Sequence, residues 1–166
     1  MKKDGLKILL ISLLGLTTAV FIYPFIHEMG HVLCSVLIGA EVHQVTILPV
    51  PSMLCNIGAI SNSGRVLIGF GGMTLPLLVA LIIPRRWFVL WYVRTLLLGM
   101  SMLAIGISII SLFFDVNPQD DMVRVLTFWR YGKPALLEIL LFLLATVCIL
   151  LFTDKPGRRI CKYFEI

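Results

Sequence analysis

The run Phe25-Ile26-His27-Glu28-Met29-Gly30-His31 places two histidines four residues apart, with a glutamate directly after the first. On a helix this spacing puts both imidazoles on one face, one turn apart, where they can share a tetrahedral zinc ion. Glu28 falls about 100° further round the helix. It can therefore reach a water at the metal, and take that water's proton, without being a ligand itself. The same pattern arises by chance on the wet surfaces of soluble helices. Here it sits inside an apolar run, where an ionisable residue is costly and by default functional. The competing reading is a polar cluster that hydrogen-bonds across packed membrane helices.

A catalytic zinc takes three protein ligands and leaves one position open, so a third ligand must come from elsewhere. His43 lies beyond the end of the histidine helix, in a predicted strand, and reads as a solvated side chain. Asp115, Asp120 and Asp121 are better placed if the chain returns to the site there. Each taken singly also reads as a cap or solvated group at the start of the following helix. The four cysteines, Cys34, Cys55, Cys148 and Cys161, form no C-x-x-C pair and no metal-site spacing, and read as apolar filler or free thiols.

The elements that must position these groups are set by composition. Of the 166 residues, 59% are apolar and only 14% charged, which describes one membrane domain over residues 1–166 and excludes a water-soluble globule. A membrane span needs roughly 20 apolar residues. Four stretches qualify: Leu6 to Ala40, Val66 to Ile83, Val89 to Phe114 and Pro134 to Phe152. The basic start of the first is reminiscent of a secretory leader, but no small-residue cleavage pattern precedes Tyr23-Pro24, so the stretch is expected to stay in the mature protein. No appended soluble domain is expected.

The net charge of +5 does not point to nucleic acid, because many basic residues flank the apolar stretches. Lys2, Lys3 and Lys7, then Arg85 and Arg86, then Lys155, Arg158, Arg159 and Lys162 fall on one side of a four-span chain, which the positive-inside rule assigns to the cytoplasm. Arg65, Arg124, Arg130 and Lys133 remain on the other side. With a single first span this places His27 to His31 in the non-cytoplasmic half.

Leu6 to Ala40 reads as one long helix kinked at Pro24, with a helical hairpin broken at Tyr23-Pro24 as the alternative. Gly39 ends it. The β-branched cluster in Glu41 to Leu48 predicts a strand, stopped by Pro49 and Pro51, and Ile57 to Ile60 a second one before the turn Ser61-Asn62-Ser63-Gly64. Gly69, Gly71 and Gly72 let the second span approach its neighbours closely, a packing role rather than a catalytic one. Trp87, Trp91 and Tyr92 read as an interfacial belt. Pro118 fits the first turn of a further helix, with the acidic residues near its positive end.

His27 to His31, followed by Gly39-Ala40-Glu41-Val42 and the strand Val45-Thr46-Ile47-Leu48-Pro49, resembles the site-2 protease family of intramembrane zinc metalloproteases. Gly69 to Pro76 occupies the place of that family's glycine-containing next helix. Asp121-Met122-Val123-Arg124-Val125-Leu126 is similar to its Asp-Gly-Gly-Arg-Ile-Leu element, whose aspartate is the third zinc ligand. The resemblance spans roughly Leu10 to Leu126. It implies Asp121 as the third ligand and Asn117 as a residue near the substrate, and it implies a site nearer the cytoplasm than the charge bias does. Met122 and Val123 replace both glycines and the segment from Asn117 to Asp121 is compressed, which leaves Asp120 as the alternative ligand.

The expectation is thus an all-α membrane protein of about four transmembrane helices, with a small β hairpin between the first and second. It would act as a multi-pass zinc metalloendopeptidase on a membrane-embedded protein substrate, with the lipid bilayer as its surroundings and no nucleic-acid partner. Zinc would be held by His27, His31 and Asp121, Glu28 would serve as general base, and the strand from Val42 to Leu48 would pair with extended substrate. The alternatives are a non-proteolytic metal-binding membrane protein acting as regulator or partner-binding module, and a metal transporter or structural protein, for which the spans offer few polar residues.

Overall fold

A computed structural model describes residues 2–46, 52–56, 58 and 60–164, with side chains from residue 5 onward. Among the described residues, four helical stretches are long and apolar enough to cross a membrane: Gly5–Leu37, Asn62–Ile82, Phe88–Phe114 and Gly132–Phe164. A two-stranded antiparallel hairpin separates the first from the second.

The first stretch is one unbroken helix, and no hairpin forms at Tyr23-Pro24. α1 (Lys2–Thr17) passes through a π turn (Thr18–Ile22) into α2 (Tyr23–Leu37). Proline has no N–H and its ring crowds the carbonyl four residues back. The π turn sits immediately before Pro24, with Tyr23 N–H bonded to Thr18 O, and this wider turn accommodates the proline without ending the helix. Thr18, fully buried, returns its hydroxyl to Leu14 O at 2.8 Å.

α2 ends as Gly39 predicts. Gly39 adopts φ +79°, Ala40 N–H reaches Ser35 O at 2.8 Å and Gly39 N–H reaches Val36 O at 3.1 Å, the paired bonds of a Schellman cap. β1 (Glu41–Thr46) then pairs with β2 (Ser52–Asn56), from Glu41 opposite Asn56 to Thr46 opposite Ser52. The register shifts between Val42 and Gln44, leaving His43 as an exposed bulge residue. The second strand therefore precedes the expected Ile57 to Ile60. Ile57 itself, and the expected strand end at Ile47 to Pro51, lie outside the described residues.

α3 (Asn62–Ile82) starts at Ser61, whose hydroxyl accepts from Gly64 N–H at 3.2 Å. Gly69, Gly71 and Gly72 in its first half serve three different contacts. A Cβ on Gly71 would lie 2.5 Å from Gly30 O, and one on Gly30 would lie 2.1 Å from Gly71 O, so α2 and α3 meet backbone to backbone. A Cβ on Gly69 would strike Val125, and one on Gly72 would strike both histidine rings.

α4 (Phe88–Phe114) ends at Asp115 in the left-handed region, φ 53°. The short helix α5 (Asp121–Leu126) follows, capped by Asp120, whose carboxylate accepts from Met122 N–H at 2.9 Å. It starts three residues after Pro118, which lies in the preceding turn. Met122 and Val125 are buried in the main core with Met73, Leu97, Leu98, Ile105, Leu136 and Leu140. Full burial of a side chain such as Met122 stabilises by about 1.5–3 kcal/mol, which roots α5 in the bundle. α6 (Gly132–Asp154) packs on α4, and α7 (Pro156–Phe164) closes the described chain.

At the end of the bundle away from α5, Arg94 in α4 is 2% exposed. Its Nε donates to Asp154 Oδ2 at 2.9 Å and Nη1 to the Ala80 carbonyl, while Arg85 Nε stands 2.8 Å from Asp154 Oδ1. Arg94 thereby ties α3, α4 and α6 together. Arg159 donates to Arg85 O at 2.8 Å, and Lys7 Nζ lies 5.8 Å from the Tyr163 ring centroid. Representatives of the three basic clusters thus collect at one end, as the charge pattern indicates. Trp91, expected in an interfacial belt, is instead fully buried, with the Arg159 guanidinium over its ring.

Candidate metal centre

α2 carries His27 and His31 one turn apart, and α5 brings Asp121 to them. Asp121 Oδ2 lies 3.1 Å from each Nε2, and the two Nε2 atoms are 3.2 Å apart. Four ligands at zinc bond lengths of 2.0–2.1 Å in a tetrahedron stand about 3.3–3.4 Å from one another. The three atoms therefore form a triangle of nearly the size that one face of a zinc coordination sphere requires.

Protonation sharpens this geometry. His31 Nδ1 is 2.7 Å from Ile68 O; a carbonyl only accepts, so Nδ1 carries the proton. In the neutral ring Nε2 then presents a lone pair toward His27 and Asp121. Burial raises the Asp121 carboxyl, but hydrogen bonds and positive charge from the two imidazoles, when these carry the extra proton, outweigh that and hold it well below the usual carboxylate range. An anionic oxygen and two imidazole nitrogens converging on one point are a donor set suited to a divalent cation. The backbone carbonyl behind His31 is the outer partner that fixes a ligating histidine's ring orientation.

Glu28 belongs to the same cluster without sharing the triangle. Its carboxylate and the two histidines offer donor atoms all within 4.8 Å of one another. The residue is 4% exposed, and its Oε2 is buried with no hydrogen-bond partner among the described residues. A buried acceptor without a donor, next to the two histidines, fits a base that takes its proton from water.

Asp120 is placed for a different task. Its Oδ2 accepts from the Ser108 hydroxyl at 2.9 Å and its Oδ1 caps α5. Burial pushes its carboxyl above the ordinary range, partly offset by those two donors. Its bonds are committed to holding α5 against α4, so the residue that faces the histidines is Asp121 and not Asp120. Asp115 is exposed and pairs with Lys133 at 3.2 Å, away from the site. His43 is also exposed and apart from it.

A cavity of ≈ 860 Å³ opens beside the triangle, bordered by His27, Glu28, His31 and Asp121, and by Asn117 at its rim. Asn117 is exposed and its Oδ1 accepts from Gln119 N–H at 3.1 Å. Ser52 to Cys55 of β2 also border it, whereas β1, the strand expected to meet substrate, does not. The Ser35 hydroxyl points to Met53 Sδ at 3.8 Å, holding the hairpin to α2.

Gly72 and Ile68 were not singled out as site residues from sequence. Both lie in α3 within one turn of each other, and the glycine run alone could have flagged a helix pressed onto the histidine face. No protein-family model, no curated protein and no solved structure matches the chain.

Proposed function

We propose that this protein is a multi-pass membrane zinc metalloendopeptidase that cleaves a membrane-embedded protein segment. The carrying observation is the triangle of His27 Nε2, His31 Nε2 and Asp121 Oδ2, with edges of 3.1–3.2 Å and Glu28 beside it. The resemblance to the site-2 protease family supports the same assignment.

His27, His31 and Asp121 would hold the metal. Zinc bound there polarises a peptide carbonyl and acidifies water. Glu28 would take the water's proton and pass it to the departing nitrogen. The low exposure of Glu28 and His31 keeps bulk water from competing. A peptide bond in a helix is shielded, so the substrate must be locally extended, and β2 along the cavity would pair with it.

The test is zinc content of detergent-purified protein, with cleavage of a transmembrane reporter beside it. Near-stoichiometric zinc, lost in His31→Ala and weakened in Asp121→Asn, together with cleavage abolished in Glu28→Gln, supports the proposal. Zinc without Glu28-dependent cleavage would turn the assignment to a metal-binding regulator. A well-folded wild type that takes up no added zinc would defeat the metal reading.

A further inference from the structure

Tyr23, His27 and His31 recur every four residues, so they stack on one face of α2. Tyr23 is 7% exposed and borders the cavity, and its ring centroid is 6.2 Å from that of His27. Its hydroxyl is nevertheless buried with no hydrogen-bond partner of good geometry among the described residues. The hydroxyl of Ser101 on α4 stands beside it, equally buried and equally short of a well-aligned partner. Buried phenols in native structures normally find a partner, and the exceptions call for a ligand or a function.

Three other donors around the cavity are engaged, whereas His27 Nδ1 is, like the Tyr23 hydroxyl, buried without a partner among the described residues. Ser108 gives its hydrogen to Asp120, Arg124 donates to Gln119 and His31 Nδ1 donates to Ile68 O. Glu28 and Asp121 are acceptors. Tyr23 is a buried neutral donor one turn from the first histidine, with the Ser101 hydroxyl beside its own.

We propose that Tyr23 is a catalytic residue whose hydroxyl donates a hydrogen bond to the carbonyl oxygen of the peptide bond under attack. This rests on the metallopeptidase assignment above. As the water oxygen bonds to the carbonyl carbon, one water proton passes to Glu28 and the π electron pair moves onto the carbonyl oxygen. Tyr23 keeps its proton and meets that charge, a preorganised dipole where charge develops. When the C–N bond breaks, its electron pair leaves with nitrogen, the carbonyl re-forms, and Glu28 returns the proton to the amine. The products are a carboxylic acid and an amine, and no other reactant is consumed.

The test uses full-length protein in detergent loaded with cobalt(II), whose visible absorption reports the site, titrated with acetohydroxamate as a small anionic oxygen ligand for the metal. Wild type and Tyr23→Phe should each hold one cobalt, and the substitution should weaken acetohydroxamate roughly tenfold, the usual scale for losing a hydrogen bond to a charged group. Equal affinities would overturn the assignment of Tyr23. So would loss of cobalt from Tyr23→Phe, which would make the residue structural. A cobalt-loaded wild type that acetohydroxamate cannot enter would overturn it too, since a carbonyl oxygen could not reach Tyr23 either. Failure of the wild type itself to take up cobalt is a separate result, and defeats the metallopeptidase assignment before Tyr23 is compared.

Discussion

His31 donates its Nδ1 hydrogen to the carbonyl of Ile68, 2.7 Å away on α3, so that its other ring nitrogen is turned toward Asp121 and His27. The contact reaches from the histidine helix to the backbone of the next span, and no side-chain substitution at residue 68 removes it. The geometry of the His27–His31–Asp121 triangle therefore depends on how closely α2 and α3 pack.

That dependence predicts different outcomes for neighbouring glycines. Gly72→Ala would place a methyl 2.4 Å from His31 Nε2 and is expected to abolish zinc binding while the protein still purifies as a folded helical bundle. Gly71→Ala meets the Gly30 carbonyl instead and should lower stability by about 1–3 kcal/mol or more through overpacking. Zinc analysis and thermal unfolding in detergent, run on both variants, check the contrast.

The two adjacent aspartates should separate cleanly. Asp121→Asn removes a charged ligand and is expected to weaken zinc by more than the 10–100-fold typical of an outer-shell partner. Asp120→Ala removes the α5 cap and the Ser108 bond, so about tenfold weaker zinc and a stability loss of about 1 kcal/mol are expected. Equal zinc losses in the two variants would contradict the assignment of Asp121 as the ligand.

Glu28→Gln should retain zinc at wild-type stoichiometry and lose activity by about 10²–10⁴-fold, the usual scale for a general base. Glu28 is buried and its Oε2 unpartnered, so the neutral amide should not reduce stability. Reporter cleavage and zinc content in the same preparation read both quantities.

The Arg94–Asp154 pair gives a stability prediction at the other end of the bundle. Asp154→Ala would leave the buried Arg94 guanidinium without its counter-charge, a loss of about 3–5 kcal/mol. Zinc stoichiometry of the fraction that remains folded should be unchanged, since neither residue borders the cavity.

Orientation is open to labelling. With Lys7, Arg85 and Arg159 gathered at one end and assigned to the cytoplasm, Ser63 at the start of α3 lies on the opposite side. In a chain with its native cysteines replaced, Ser63→Cys should react with an impermeant thiol reagent added outside the cell. Reaction only after permeabilisation would favour the site nearer the cytoplasm that the family resemblance implies.

The spans and the histidine helix were legible because a long apolar run and a fixed i, i+4 spacing are local signals. The Schellman end at Gly39 was legible for the same reason, since a positive φ favours glycine. The second strand was misplaced because short segments carry little periodicity, and the pairing with β1 decides which residues extend. Trp91 was misread as a belt residue since amphipathic rings beside arginines usually sit at an interface, whereas here Arg159 folds back over the ring. Arg94 went unremarked, although a charge in the middle of an apolar stretch demands a buried partner. The choice between Asp120 and Asp121 is tertiary, because it depends on which carboxylate α5 turns toward α2, and burial of Met122 and Val125 sets that rotation.

The π turn from Thr18 to Ile22 holds one residue more than the α-helical turn it replaces, and so acts as a phase shifter between two parts of one helix. Rewinding that turn as regular α-helix with its residue count unchanged would rotate everything before it by about 100° relative to the histidine face. The leucines of α1 and the ligands of α2 thus keep separate angular registers on a continuous rod. A change of winding in an otherwise permissive greasy segment, with no change of length, would be read out as misorientation of the whole N-terminal half.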